Sequence, residues 1–444
     1  MTTKINLGSI YNINDYDELA RMFLPRGSYE LIHEKASEFE GIPEKLNNER
    51  KIYDKLSEKT GKSLPWGILT GVKPTKLYSQ LVAKNTVTSE VLKNEYLVSD
   101  EKIELLKQIY ECESRALPKN YYGKSENIAV YIGIPFCPTR CTYCTFTACV
   151  GTEKQKKEYL EAISKEIYFA EHLMKDNDIK AESVYIGGGT PSALPLPMFD
   201  ELLMRVKEAF VSETTEFTVE AGRPDSITYE IAKCISKAGA SRISINPQTM
   251  NEATLEAIGR HHKSKDVFEA FENARAAGIP IINSDLIAGL PGESSKDFGS
   301  SLKAIIDLKP ENITIHTLAL KKGAKLREED PFFSYKKSDA SDMLHIAGVM
   351  LSEFDMNPYY LYRQKQTVDN LENTGYSLKD AECLYNMRMM QEKQSVMALG
   401  AGAVSRVYFP DKDRMERVFN LADTALYIER IDEMLERKKR IFWK

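Results

Sequence analysis

Between Ile128 and Leu318 the chain alternates six short β-branched or apolar runs with five longer runs of helical period. The strand-like runs are Ile128–Phe136, Ser183–Ile186, Glu216–Glu220, Arg242–Asn246, Ile281–Leu286 and Asn312–Leu318. Helical patterns fall between or after them at Lys154–Lys175, Pro197–Val211, Ser226–Ala238, Lys265–Ala277 and Ser295–Leu308. Successive parallel strands need a long crossover, and a helix is what supplies it. The pattern therefore predicts an α/β fold with a parallel sheet covered by helices. Closure into a barrel or partial barrel is the natural outcome, with chemistry gathered at the C-terminal strand ends.

The flanks read differently. Residues 1–122 show little strand alternation beyond the start, and Ser89–Glu113 has helical patterning, with Ser99 or Asp100 as a cap ahead of Ile103. This predicts a mainly helical N-terminal domain. Pro65–Pro74 is a turn segment rich in glycine and proline that either contacts a partner or the catalytic domain, or simply anchors a small core through Trp66. The loop Lys119–Lys124 leads into a barrel over residues 123–356. Residues 357–444 are expected to form a mainly helical C-terminal domain, with helices near Asp380–Ala398 and Thr424–Lys439. There is no internal repeat outside the β/α alternation and no low-complexity segment.

Cys137, Cys141 and Cys144 follow the first strand, where a barrel enzyme places its chemistry. Three thiolates in one short loop suit a [4Fe–4S] cluster with one iron left open for a small molecule. A ferredoxin would supply four cysteines in a C-x2-C-x2-C-x3-C run, and Cys149 stands off that spacing. Zinc is the alternative, although no histidine lies nearby in sequence to complete such a site. Cys112, Cys234 and Cys383 sit in helical or core-like surroundings and read as small buried hydrophobes.

The CxxxCxxC run with Tyr143 before its last cysteine resembles the signature of radical S-adenosylmethionine (SAM) enzymes. Tyr131 through Phe136, just ahead of it, is similar to the oxygen-independent coproporphyrinogen III oxidase group. The glycine-rich Ala398–Ser405, Tyr359–Lys365 and Tyr385–Asn386 make the match closest to the longer coproporphyrinogen dehydrogenase type, which carries an N-terminal extension. The resemblance implies a partial (β/α)6 barrel holding a [4Fe–4S] cluster on the three cysteines, together with one or two SAM molecules. The motif match assigns SAM contacts to Tyr131, Tyr143, Gly188, Gly189, Thr190, Glu220, Gln248, Arg260 and Asp285, and less securely to Ala319 and Val404, with the adenine near Phe146.

The implied reaction is radical removal of hydrogen from coproporphyrinogen III propionates. CO2 leaves, and two rounds give protoporphyrinogen IX. A reduced flavodoxin- or ferredoxin-like protein would be the electron donor. One departure bears on the substrate: the short oxidases carry an additional cysteine where this chain has Phe146. That feature is shared with a haem-chaperone branch, and other relatives degrade haem by methyl transfer. Coproporphyrinogen III and haem are thus both candidate tetrapyrroles.

The remaining residues set limits. A net charge of −5 gives no footing for nucleic-acid binding. No run approaches the roughly 18–20 apolar residues of a membrane span, and no signal-peptide pattern opens the chain, which points to the cytoplasm. A substrate with four carboxylates calls for cations at the barrel mouth, and Arg140, Arg363 and Lys365 are candidates. The pair His261–His262 reads as a loop or helix end rather than a metal site, whereas His316, inside the sixth strand, is placed to face the barrel interior.

Overall fold

The computed structural model describes residues 3–10, 13–35, 42–71, 73–117, 127–146, 148–333 and 338–442. The expected loop Lys119–Lys124 lies outside these residues. The chain opens with β1 (Thr3–Ile10), α1 (Ile13–Phe23), β2 (Tyr29–Lys35), α2 (Ile42–Thr60), α3 (Pro74–Ala83), α4 (Thr88–Asn94) and α5 (Asp100–Ala116). This part is mainly helical, as its patterning predicts, but β1 and β2 pair in parallel as a two-stranded ribbon. The second of these strands escapes sequence reading because its charges interrupt any clean alternation. Ser99 caps α5, its side chain accepting from the Lys102 N–H.

The barrel runs β3 (Asn127–Ile134), α6 (Glu153–Asp176), β4 (Lys180–Gly188), α7 (Leu196–Phe210), β5 (Glu216–Gly222), α8 (Tyr229–Lys237), β6 (Arg242–Ile245), α9 (Glu252–Ala257), α10 (Ser264–Ala276), β7 (Ile281–Ala288), α11 (Ser295–Asp307), β8 (Asn312–Thr317), α12 (Lys325–Glu329) and α13 (Ala340–Ser352). All six sequence-predicted strands are present, and β3 through β8 lie parallel in chain order. Alternation sorts the side chains. Val130, Ile132, Val184, Val219, Ile243 and Ile315 join the outer core under the helices. Tyr131, Tyr185, Glu220, Ser244, Asp285 and His316 occupy the opposite positions, facing the interior.

Residues from 357 onward are mixed rather than mainly helical. They form β9 (Asn357–Arg363), β10 (Glu372–Ser377), α14 (Leu384–Gln391), β11 (Val396–Leu399), β12 (Val404–Phe409), β13 (Arg414–Phe419), α15 (Thr424–Glu429) and α16 (Ile431–Phe442). Every one of these strands extends the barrel sheet, in the order β13-β12-β11-β3-β4-β5-β6-β7-β8-β10-β9. Strands buried on both faces show no polar-apolar alternation to read, and all six residues of β10 are buried. The helix expected over 380–398 is correspondingly only its middle part, α14, followed by β11.

The lower end of the barrel is closed by polar contacts. Arg242 Nη1 donates to Glu216 Oε2 (3.2 Å) and its Nε to Asn312 Oδ1 (3.0 Å). The first turn of α14 seals this layer, the Leu384 and Tyr385 N–H groups donating to Glu216 (2.9 and 3.0 Å). The N-terminal part docks on the β9–β10 edge. Trp66, fully buried with Leu361 of β9, donates through Nε1 to Glu372 Oε2 (2.7 Å), and Lys102 Nζ reaches Glu372 Oε1 (2.8 Å). Trp66 thus both anchors a small core and ties that core to the barrel. Cys112 and Cys383 are buried, and desolvation pushes both thiols up to about 12, so they remain inert hydrophobes.

Candidate SAM and iron–sulfur site

The loop from Cys137 to Cys149 leaves the C-terminal end of β3 and returns on itself, the Cys137 N–H donating to Cys149 O (3.0 Å) and the Cys149 N–H to Pro135 O (2.9 Å). It is held from two sides. The Thr142 N–H donates to Ile258 O (3.0 Å), and the Leu326 N–H of α12 donates to Thr142 O (2.9 Å). Cys137, Cys141 and Cys144 are each half-buried. Burial raises the Cys137 and Cys144 thiols above their ordinary value, and the neighbouring cysteines add to the rise. No three metal-ligating groups among the described residues converge on one ion-sized point. The three sulfurs lie close enough to influence one another electrostatically, a donor set of three thiols that suits an iron–sulfur cluster with one open iron.

The end of β4 lies against the first cysteine. Thr190 Oγ1 donates to Cys137 Sγ (3.5 Å), and the Gly189 and Thr190 N–H groups donate to Ile134 O and Phe136 O (both 2.7 Å). A Cβ on Gly189 would sit 2.4 Å from Phe136 O and 3.0 Å from Cys137 Sγ. Gly188 has φ +109°, and a Cβ there would meet Ile134 O at 2.9 Å. Only glycine fits either position. Gly189→Ala is expected to lower iron content and SAM affinity by about tenfold or more and to destabilise the fold by ~1–3 kcal/mol. Iron analysis, SAM binding and denaturant titration of one preparation would check all three.

Below this rim the interior is polar. Burial lifts the Glu220 carboxyl to about 8, and the Asp285 charge adds to the rise. Burial alone would lower His316, but Asp285, 3.4 Å away, outweighs it and holds the imidazole above its ordinary value. Asn283 Nδ2 donates to Asp285 Oδ1 (2.8 Å), and Tyr362 OH meets His316 Nδ1 at 3.3 Å. Asp285 pairs with His316 rather than with the nearby arginines Arg242 and Arg260. Arg242 serves Glu216 below, while Arg260 Nη1 donates to Tyr143 OH (3.3 Å) and its Nη2 to Asn246 O.

Glu220 has a stability consequence. Its carboxyl binds a proton more tightly folded than unfolded, so the native state carries the extra proton between roughly pH 4.5 and 8. Its contribution to stability is complete below the unfolded value and is lost as pH rises through about 8. Glu220→Gln is expected to flatten the fall in denaturation midpoint across that window, which urea titrations at stepped pH would show.

The remaining sequence-assigned positions divide. Gln248 sits at φ +71°, its N–H donating to Asp285 O (3.0 Å), with a buried Oε1 that has no partner. The buried Nε of Arg260 is likewise unpartnered. Two orphaned polar atoms facing a polar chamber suit a ligand with both a carboxylate and an ammonium group. Tyr131, Gly188, Gly189 and Phe146 line one cavity of about 70 Å³, closed by Ala401–Ala403. Phe146 is 63% exposed, leaving its ring free to stack. Val404 is not in that lining; it pairs with Phe419 on β12, and the small residues just before it form the wall. Ala319 stands at the barrel rim, bridged to Thr367.

Among the candidate cations, Arg140 donates to Gly323 O (3.1 Å), Lys365 pairs with Glu18, and Arg363 is buried beside Trp66. His261 is exposed and His262 buried, so the pair diverges. Sequence reading missed Ser244, Asn246, Asn283 and the tyrosines Tyr185, Tyr362 and Tyr385. The signal for the first three was polar residues at alternate positions inside otherwise apolar strands. The tyrosines stack across chain-distant elements, Tyr185 and Tyr385 at 4.7 Å between ring centres.

Comparison with known proteins agrees with this geometry. The model of the Radical SAM superfamily matches residues 131–305. The chain is 38% identical over 391 residues to the oxygen-independent coproporphyrinogen-III oxidase-like protein HemZ of Bacillus subtilis, covering 86% of this chain and 78% of that one. It is 35% identical over 192 residues to the heme chaperone HemW of the same organism, covering 43% of this chain and 50% of that one. Among solved structures, the coproporphyrinogen III oxidase HemN of Escherichia coli superposes with a TM-score of 0.56 over 70% of each chain at 21% identity, a likeness of fold. With its cysteine loop, glycine edge and polar chamber at one end of a six-unit partial barrel, the chain belongs to the oxygen-independent coproporphyrinogen-III oxidase-like family of the radical SAM superfamily.

Proposed function

We propose that this chain oxidatively decarboxylates tetrapyrrole propionates, converting those of coproporphyrinogen III to vinyl groups. The observation that carries this reading is the layer of Glu220, Asp285, His316 and Tyr362 at the strand ends beneath the cysteine loop. In this reading Cys137, Cys141 and Cys144 hold the cluster, and Gly188, Gly189, Thr190, Glu220, Gln248, Arg260 and Asp285 hold SAM. When bound, that pair would supply one-electron reduction of SAM and with it the power to remove a hydrogen atom. Each propionate then loses one hydrogen atom, CO2, and one further electron to a one-electron acceptor.

The chain's own contribution is orientation and charge. Glu220, lifted to about 8, is neutral near pH 7, and Asp285 is engaged by His316, whose hold on its proton that carboxylate strengthens. The chamber therefore does not repel a polyanionic substrate as two bare carboxylates would. Stacked Tyr131, Tyr185 and Tyr385, with the Arg242–Glu216 plug below, keep water from entering through the barrel floor.

A second reading, haem binding without decarboxylation, is favoured by Phe146 and by the similarity to a heme chaperone over 192 residues. Anaerobic incubation with SAM and dithionite, followed by nucleoside chromatography, separates the possibilities. Formation of 5′-deoxyadenosine supports radical chemistry. Formation of S-adenosylhomocysteine instead favours methyl transfer, as in haem degradation. Tight haem binding with neither nucleoside overturns the decarboxylase reading.

A further inference from the structure

A cleft of about 270 Å³ lies between α1 and the barrel mouth, and none of the SAM-assigned residues lines it. Its walls carry Arg21, Arg26, Arg327, Arg363 and Lys365, against a single acidic residue, Glu18. Arg21 is paired with Asp17, and Lys365 with Glu18. Arg26, Arg327 and Arg363 form no ion pair among the described residues. Arg363 is the most telling. It is only 6% exposed, its Nη groups donate to the Leu69 and Asn370 carbonyls, and its buried Nε has no partner. Burial pulls this guanidinium down to about 10, and the Glu372 carboxylate on the neighbouring strand offsets that only in part. Beside these charges lies an apolar face that includes Phe332, 56% exposed, with Met22 and Pro25.

The cleft communicates with the site along two short routes. Arg327 follows Leu326, whose N–H holds Thr142 of the cysteine loop (2.9 Å). Gln364, another wall residue, donates to Tyr362 OH (3.4 Å), which meets His316 at the barrel centre. Three guanidiniums with no ion pair among the described residues, Arg327 bonded through Nη1 to Leu320 O (3.2 Å) and Gln366 Oε1 (2.6 Å), stand beside an aromatic face, a combination that recognises an apolar body carrying carboxylates. Drug-sized ligands occupy roughly 300–1,000 Å³, so this cleft holds one edge of a macrocycle rather than the whole.

We propose that the cleft binds the propionate carboxylates of the tetrapyrrole that are not reacting, so that the N-terminal domain positions the substrate over the barrel. This inference rests on the decarboxylase reading for the identity of the ligand. Coproporphyrin III, the air-stable oxidised analogue, would be titrated into the full-length protein by absorbance, with its tetramethyl ester as the uncharged control. Arg26→Glu and Arg327→Glu are each expected to weaken coproporphyrin binding roughly tenfold or more and to leave the ester unaffected. Circular dichroism melts would establish that both variants fold; Arg26 is exposed, so its reversal leaves the core intact.

Equal affinity of wild type and both folded variants for coproporphyrin would overturn the cleft assignment while leaving the decarboxylase reading in place. Equal weakening of acid and ester would also overturn it, since the effect would then not be electrostatic. A wild-type protein that binds no tetrapyrrole would sink both readings.

Discussion

Cys141→Ala protein is expected to fold and purify normally yet retain neither cluster nor SAM cleavage. The backbone around Cys141 is fixed by contacts that do not use its sulfur: Thr142 to Ile258, Leu326 to Thr142, and Cys144 to the Cys141 carbonyl (3.2 Å). The thiol is half-buried and fills no core position, so its loss opens no cavity. Losing an outer-shell partner of a metal ligand typically costs about 10–100-fold in affinity or activity, and losing one of three ligands should cost more. Iron and sulfide content together with 5′-deoxyadenosine yield would measure this, and a variant that kept both would place the cluster elsewhere.

The largest stability effect is expected from Lys438→Met. Lys438 of α16 and Glu166 of α6 are both fully buried, and Lys438 Nζ reaches Glu166 Oε1 (2.5 Å) and Asn420 Oδ1 (2.6 Å). Glu166 also accepts from the Gly400 N–H (2.7 Å), Tyr427 OH (2.6 Å) and Asn420 Nδ2 (2.8 Å). Removing the cation leaves a buried carboxylate with neutral donors only, which costs ~3–5 kcal/mol, whereas removing both charges is often near neutral. Denaturant titration should therefore show a large loss in Lys438→Met and substantial recovery in Glu166→Gln/Lys438→Met. The effect also reaches the site. Gly400 packs against β3, where a Cβ would meet Gly133 O at 2.4 Å, and Ala401–Ala403 close the cavity beside Phe146 and Gly189. Looser anchoring of this turn should weaken SAM binding as well.

Much of the barrel was legible because its physics is local. A strand followed by a covering helix leaves a change of period in the sequence, and all six strands fall within a few residues of their predicted places. The cysteine loop and the glycine edge were legible because close backbone approach restricts residue type at positions such as Gly189. What stayed hidden depends on chain-distant contact. The C-terminal strands β10 and β11 are buried on both faces, so their polar-apolar pattern vanishes. The Asp285–His316 pair lies across neighbouring strands. The basic cleft joins α1 to residues in and just after β9, more than three hundred positions away, and only Arg363 and Lys365 were visible beforehand as candidate cations. Their positions in sequence gave no hint that Arg21, Arg26 and Arg327 would join them.

The central claim is radical decarboxylation of a tetrapyrrole propionate at this barrel mouth. The most direct measurement is anaerobic reaction of the cluster-reconstituted protein with SAM, dithionite, a one-electron acceptor and coproporphyrinogen III, followed by chromatography of porphyrins and nucleosides. The account predicts protoporphyrinogen IX, two CO2 and 5′-deoxyadenosine, all absent in Cys141→Ala. Formation of 5′-deoxyadenosine while coproporphyrinogen III is recovered unchanged would contradict it.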